Sequence, residues 1–324
     1  MLLHNRAHGA PALENLKHGS DYSPTNRRST LRNRFEAILP KLVLSPTLII
    51  TLIFVYSFIV WTTLLSFTRS RAFANFHWAG LLQYGRVWDH PRWHVAIGNL
   101  GIYASLYVVL CMAIGLGLAI LLDQRIRAEN VLRTIFLYPL AVSFVVTGTV
   151  WSWLLNPGIG IEKLAHDLGW SSFHFDWLVN RDMAIWTIVI AAVWQSSGFA
   201  MALFLAGLRS VDADIIRAAQ IDGAGPIRTY WRVILPTLWP ITVTVIVIQL
   251  QFAISAFDLV RALTNGGPGI ATQLPALVVY DLMFQRSQLG RGAAAAVLML
   301  LILLAVLLPY AAWRYVQRRQ STHA

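Results

Sequence analysis

Six long apolar blocks, separated by short polar segments, constrain this chain more than any other feature. They run over about residues 42–67, 97–122, 132–155, 183–208, 238–259 and 290–315. A helix needs ~20 predominantly apolar residues to cross the hydrocarbon of a bilayer, so each block is long enough for one span. The expected fold is an all-α integral membrane bundle of six transmembrane helices. Composition agrees: 56% of the 324 residues are hydrophobic and 13% charged, where a soluble domain has about a quarter charged.

The net charge of +11 would suggest nucleic acid in a soluble protein. In a membrane protein basic loops set orientation, and no nucleic-acid partner is expected. With the N-terminus inside, 17 of the 26 Lys and Arg fall on the cytoplasmic side and 9 on the other. The tight loop DQRIRAENVLR and the terminal RYVQRRQ fit that assignment, so both termini are expected in the cytoplasm. Residues 1–38 are polar and lack the apolar core of a cleavable signal peptide. They are read as a cytoplasmic tail, 39–315 as the membrane domain and 316–324 as a basic cytoplasmic tail. Cys111, the only cysteine, lies in an apolar run and excludes a disulfide framework. The nine histidines are scattered without metal-like pairing, so no metal site is expected.

One polar segment, residues 209–236, interrupts the apolar pattern between the fourth and fifth blocks. Ser210 and Asp212 are N-capping types, and Asp214 places a carboxylate where the helix dipole favours it. Ile215, Ala218 and Ala219 follow at helical spacing as a small apolar stripe. Asp222-Gly223 predicts the stop, since glycine accepts the left-handed cap. Gly225-Pro226 predicts a restart with proline at the first helical position. In the second helix Ile227, Tyr230, Trp231 and Ile234 share one face, with Arg228 and Arg232 opposite, and Pro236 bends or ends it. Periodicity alone also allows an interfacial amphipathic linker.

This segment resembles the EAA loop of ABC importer permeases: Glu-Ala-Ala, three positions, Gly, then an apolar run ending in Leu-Pro. Here it reads Arg217-Ala218-Ala219, Gly223 and Leu235-Pro236. A second stretch, LTNGGPGIAT at 263–272, is similar to the Leu-Thr-x-Gly-Gly-Pro motif of the carbohydrate-importer branch, which includes the maltose-type permeases. The likeness covers all six blocks. The wording of LYPLAVSFVVTGTVWSWLLNPGIGIEKL and VIAAVWQSSGFAMALFLAGLR resembles proteobacterial glucose/mannose importers. The resemblance implies a six-helix ABC permease in the bacterial inner membrane with a cytoplasmic coupling helix. It implies a second homologous permease subunit, an ABC ATPase dimer and a periplasmic sugar-binding protein as partners, beside membrane lipid. Arg217, Ala218, Ala219, Asp222, Gly223 and Pro226 would then meet the ATPase. Arg217 departs from the usual Glu, which puts its pairing in question.

No Gly-x-x-x-x-Gly-Lys-Ser/Thr phosphate loop occurs. ATP and Mg would belong to the partner ATPase, with no cofactor on this chain, and the chain is not expected to be an enzyme. The glycines of NPGIGIEK and TNGGPGIA fit turns with positive φ. A sugar path needs polar groups and aromatic faces at membrane depth, where polar groups are costly unless they face a cavity or partner. Candidates are Thr147 and Trp151 in the third block, Trp194, Gln195, Ser196 and Phe199 in the fourth, and Phe252, Ser255 and Asp258 in the fifth. By resemblance the fourth- and fifth-block groups fall in the maltose-type sugar pocket; Phe199 and Phe252 keep an aromatic, while Gln195 and Ser196 differ in type. The competing reading is that the polar side chains bond neighbouring helices, and that Asp258 bonds the TNGG loop. An ion-coupled secondary transporter is the alternative function, although no internal repeat or set of intramembrane carboxylates is evident.

Overall fold

The computed structural model describes residues 27–124 and 127–321, with side chains over 45–124, 127–225 and 228–316. Most of the expected N-terminal tail, Arg125 and Ile126 of the basic loop, and residues 322–324 lie outside the described residues. Among the described residues the structure is helix and turn, apart from an isolated bridge between Thr68 and Trp78. Helix α1, Arg27–Ser66, is 40 residues long, so residues 27–38, expected as tail, are its opening turns. The chain divides into two compact units after Phe58.

The second unit contains the helices α2 Leu82–Trp88, α3 Pro91–Asp123, α4 Glu129–Ala141, α5 Phe144–Leu154, α6 Ile161–Asp167, α7 Ala184–Arg209, α8 Ala213–Ile221, α9 Pro226–Thr229, α10 Leu235–Thr237, α11 Trp239–Ile254, α12 Asp258–Leu263, α13 Pro275–Tyr280 and α14 Leu289–Ser321. Two π-helical turns, Tyr230–Ile234 and Asp281–Gln285, interrupt the series. Four helices, counting the Ser45–Ser66 stretch of α1, are long and apolar enough to cross a membrane alone; with each of two bent pairs counted as one span there are up to six. The fold is the all-helical membrane bundle that the apolar blocks predict.

Helix α7 is the centre of the packing. Of its most apolar stretch 72% is buried, against 28% for α3 and 22% for α14. Tyr103, Tyr107 and Cys111 of α3 pack with Ile188, Val189 and Ala192 of α7 and with Val260 and Leu263 of α12. Small residues let the helices close up: a Cβ at Gly115 would stand 2.7 Å from the Ala200 Cβ. Close approach of this kind drives association in lipid, where burial of apolar surface supplies little. Helix α3 starts six residues before the expected boundary because His90 caps it. The Arg92 N–H donates to His90 Nδ1 at 3.2 Å, and Pro91 takes the first position.

The third and fifth blocks are not the straight helices that their composition predicts. Helices α4 and α5 meet at 96°, with the break at Val142 and Ser143, whose ψ of 138° and 139° are extended. Pro139 has already removed one backbone donor from this turn. The fifth block bends by 62° at Leu238 and ends at Ile254, five residues short of the expected limit. Ahead of the bend, the π-helical turn leads into Pro236, which has no N–H to continue the ladder. The wider turn also rotates the face: Ile234 is buried, whereas Trp231, expected beside it, is 71% exposed.

Candidate functional site

The polar segment between α7 and α11 is a capped short helix, a glycine turn and a second helix start. Ser210 closes α7 rather than opening α8, its hydroxyl donating to the Gly207 carbonyl at 2.7 Å. Asp212 is the N-cap of α8, with the Asp214 N–H donating to its Oδ1 at 2.9 Å. At the other end Gly223 has φ +77°. The Gly223 N–H reaches the Gln220 carbonyl at 3.1 Å and the Ala224 N–H reaches the Ala219 carbonyl at 3.0 Å. This pair of bonds is a Schellman cap, which requires a left-handed residue at the glycine position. Pro226 then opens α9.

Between those caps α8 presents an uncovered surface. Ile215, Ala218 and Ile221 are exposed and Ala219 is half-buried. A chain that leaves Ile221 86% exposed on a short polar helix offers apolar area to something outside itself. Arg217 finds an acidic partner in its own helix: its guanidinium lies 2.7 Å from Asp214 Oδ1, three residues back. At 70% and 78% exposure this pair contributes little to stability.

A cavity of about 70 Å³ lies between α3, α5, α7, α11 and α12. Tyr103, Tyr107, Phe144, Ser196, Phe252, Ser255, Phe257 and Asp258 are among its walls. Four expected residues, Ser196, Phe252, Ser255 and Asp258, thus converge. Phe199 packs against Phe252 in a tilted pair with ring centroids 5.9 Å apart, and Trp151 meets Trp194 edge-on at 5.9 Å; Phe199, Trp151 and Trp194 do not line the cavity. Asp258 stands in the first turn of α12, exposed. It makes no hydrogen bond to the TNGG loop among the described residues, which corrects that expectation. The reason is the early end of α11: Asp258 starts a new helix facing the cavity.

Two further expected path residues lie buried away from the cavity walls. Gln195 is fully buried, and its Nε2 donates to the Val142 carbonyl at 2.7 Å, at the 96° break. It supplies the partner that the broken helix cannot, as unsatisfied backbone in lipid requires. Thr147 is buried in α5 with its hydroxyl unpartnered. Sequence reasoning missed Tyr103 and Tyr107. They sit at i, i+4 on α3, stack at 5.6 Å, and the Tyr107 hydroxyl donates to Gln249 Oε1 at 3.0 Å. Two tyrosines one helical turn apart in an otherwise aliphatic span were the available signal.

The LTNGGPGIAT stretch forms a tight loop held from α3. Asn99 Nδ2 donates to the carbonyls of Ala271 at 2.9 Å and Gln273 at 3.0 Å. Gly266 and Gly269 have the expected positive φ; Gly160 of NPGIGIEK, at φ −97°, does not. The histidines correct another expectation. Glu162, His166 and His174 bring ligand-type atoms within 4.8 Å of one another. His174 Nδ1 is 3.2 Å from Glu162 Oε1, and His166 Nε2 is 2.8 Å from the Phe173 carbonyl, while Glu162 Oε2 has no partner among the described residues. The trio ties the loop between α6 and α7.

A bundle of four to six candidate spans, with a polar helix-turn-helix segment between α7 and α11 and a small cavity walled by aromatic and hydroxyl side chains, is the architecture of a polytopic membrane protein. Residues 111–322 match the family described as binding-protein-dependent transport system inner membrane component, and the chain belongs to that family. It is 38% identical over 276 residues to a probable ABC transporter permease of Pyrococcus horikoshii, 85% of this chain and 94% of that one. It is 37% identical over 213 residues to a xylose/arabinose import permease of Haloferax volcanii, covering 65% and 67%. An sn-glycerol-3-phosphate transport permease of Rhizobium meliloti is 30% identical over 284 residues, 87% and 96%. A solved bacterial ABC transporter for the acidic polysaccharide alginate shares the fold at TM-score 0.73 and 20% identity, over 90% of this chain and 99% of that chain. A second structure of an alginate transporter holds a pentasaccharide-bound periplasmic protein. The chain is therefore the multi-pass inner-membrane permease of a binding-protein-dependent ABC importer. It is a non-catalytic subunit, ATP being bound by a separate ATPase. The ion-coupled alternative falls with this assignment.

Proposed function

We propose that the chain imports a neutral monosaccharide, of glucose/mannose type, by alternating access. The observation that carries the substrate class is electrostatic. The cavity is lined by aromatic rings, hydroxyls and the Asp258 carboxylate, with no basic side chain in its walls. A phosphorylated or acidic substrate would meet Asp258 uncompensated, where like charges in a low dielectric repel strongly. A sugar would donate hydroxyl hydrogens to Asp258 and lay its C–H face on Phe252 or Phe257. The pentose-importing relative supports the same class.

The cavity is smaller than the ~300 Å³ at which small-molecule sites begin, which supports a site completed by a second, homologous permease. The remaining partners are an ABC ATPase dimer, docked on α8 through Ala218, Ala219, Asp222 and Gly223 with Arg217 and Pro226 at its margins, and a periplasmic sugar-binding protein. Both termini are cytoplasmic in this arrangement. Binding-protein docking and ATP-driven closure of the ATPases open the bundle outward, and hydrolysis resets it inward.

The test is uptake by the whole complex in proteoliposomes with its binding protein. Glucose, mannose and xylose should compete for uptake, and glycerol 3-phosphate should not. Asp258→Asn should lower sugar uptake by about tenfold, the value of one charge-assisted hydrogen bond, at unchanged complex yield. Saturable uptake of glycerol 3-phosphate, or unaltered kinetics in Asp258→Asn, would overturn the assignment.

A further inference from the structure

A second cavity, of about 670 Å³, opens where α1 ends and α2, α3 and α14 begin. This is the end of α3 remote from the glycine turn, separated from it by a helix of 33 residues, about 50 Å long at 1.5 Å per residue. Five arginines line the cavity, Arg69, Arg71, Arg86, Arg286 and Arg291, and no acidic residue does. Among the described residues the guanidiniums of Arg69, Arg71, Arg86 and Arg286 have neither hydrogen bond nor ion pair. Arg291 is held by Gln288 at 3.3 Å and by the Arg86 carbonyl, yet its Nε is buried without a partner. The nearby carboxylate of Asp281 is already taken by Arg92 at 3.3 Å and Gln273 at 3.4 Å.

The walls are built. The Gly290 N–H at the start of α14 donates to the Ser70 carbonyl at 2.9 Å, and a Cβ at Gly290 would stand 2.5 Å from the Thr68 carbonyl. Gln83 is buried with its Nε2 on the same Thr68 carbonyl at 2.8 Å. Two chain segments and one helix start are thereby locked together, with the arginines projecting from each. His90, beside this cluster, responds to the field: burial lowers its pKa, and Arg291, Arg286 and Arg92 lower it further. Five like charges on one concavity repel each other, and a bound anion would relieve that repulsion.

Guanidinium forks match the geometry of phosphate and carboxylate oxygens. Exposed rings add a second property. Phe73 and Phe284, each two residues from a cavity arginine, are 87% and 70% exposed. Exposed aromatics beside basic residues at the end of a span are the pattern of a membrane interface. We propose that this cavity binds a phosphate-type oxyanion, carried by the headgroup of an anionic phospholipid or by phosphate in solution. The exposed rings favour the lipid, whose acyl chains they would meet.

The test uses the intact transporter complex in nanodiscs of phosphatidylcholine, with and without phosphatidylglycerol. Native mass spectrometry counts retained phosphatidylglycerol, and phosphorus NMR linewidths report inorganic phosphate. Wild type should retain the anionic lipid about tenfold better than Arg71→Gln/Arg286→Gln, the loss expected for two charge-assisted contacts to an exposed group. Arg71→Lys/Arg286→Lys should keep most of it. None of these side chains holds the fold, so complex yield should not change. Retention unaffected by inorganic phosphate identifies the lipid as source; phosphate that binds and displaces the lipid identifies the free anion as well. Equal lipid and phosphate binding by wild type and the Gln pair would overturn the proposal. So would a Gln pair that loses only its affinity for the sugar-loaded periplasmic protein, which would make the cavity a protein-docking face. Sugar specificity is read from a different cavity, so failure here leaves the transport assignment standing, and the reverse holds.

Discussion

Gly223 shows how much one backbone angle decides. Its φ of +77° closes the Schellman cap, while a Cβ there would meet nothing within 4 Å. Any penalty for substitution is therefore conformational, on the order of 1–3 kcal/mol for a bulky residue in the left-handed region. Asn and Asp tolerate that region best. Gly223→Val should then reduce ATPase co-purification severalfold while Gly223→Asn keeps it, with Gly223→Asp intermediate through its added charge. Equal recovery of the ATPase with all three would remove the turn from the coupling mechanism. His90 supplies a pH dependence at the same scale. Its folded pKa lies below the ordinary 6.5 because of burial and three arginines. On acidification the unfolded chain takes the proton first, so this contribution to stability is present above 6.5 and is lost as pH falls through the lowered value. The thermal midpoint of the complex should drop with pH in that window, and His90→Gln should flatten the drop.

Among elements, the broken spans are what the apolar blocks concealed. Gln195 was a candidate sugar ligand by its depth; its bond to Val142 makes it the support of the α4–α5 break. Gln195→Leu should destabilise the subunit by about 1–3 kcal/mol, the cost of an unsatisfied buried carbonyl, seen as a lower midpoint and poorer complex yield. Normal yield with impaired uptake would instead return Gln195 to the sugar path. Pro139 lies within α4, and the break falls three residues later, where α7 offers a donor. Proximity also explains the placement: Gly198 lies so close to α4 that a Cβ would stand 1.8 Å from the Phe136 carbonyl. At the same scale Asn99→Ala should loosen the 263–272 loop by removing two donors, raising its hydrogen exchange without changing the glycine turn.

For the molecule as a whole, the sequence by itself determined the apolar blocks, the caps of α8, the glycine turn and the two motifs that carry the family. These are properties of contiguous residues: span length, N-cap and left-handed types, and spacing are written locally. Tertiary structure alone decided which polar side chains meet. Tyr103 and Tyr107 joined Ser196 and Asp258 because α3 packs along α7, while Gln195 bonded the backbone of a neighbouring helix end. It also gathered Arg69, Arg86, Arg286 and Arg291 from opposite ends of the chain into one cavity. A side chain's partner across ~200 positions depends on where helices bend and cross, and those angles are set by packing and by backbone groups that must be satisfied in lipid.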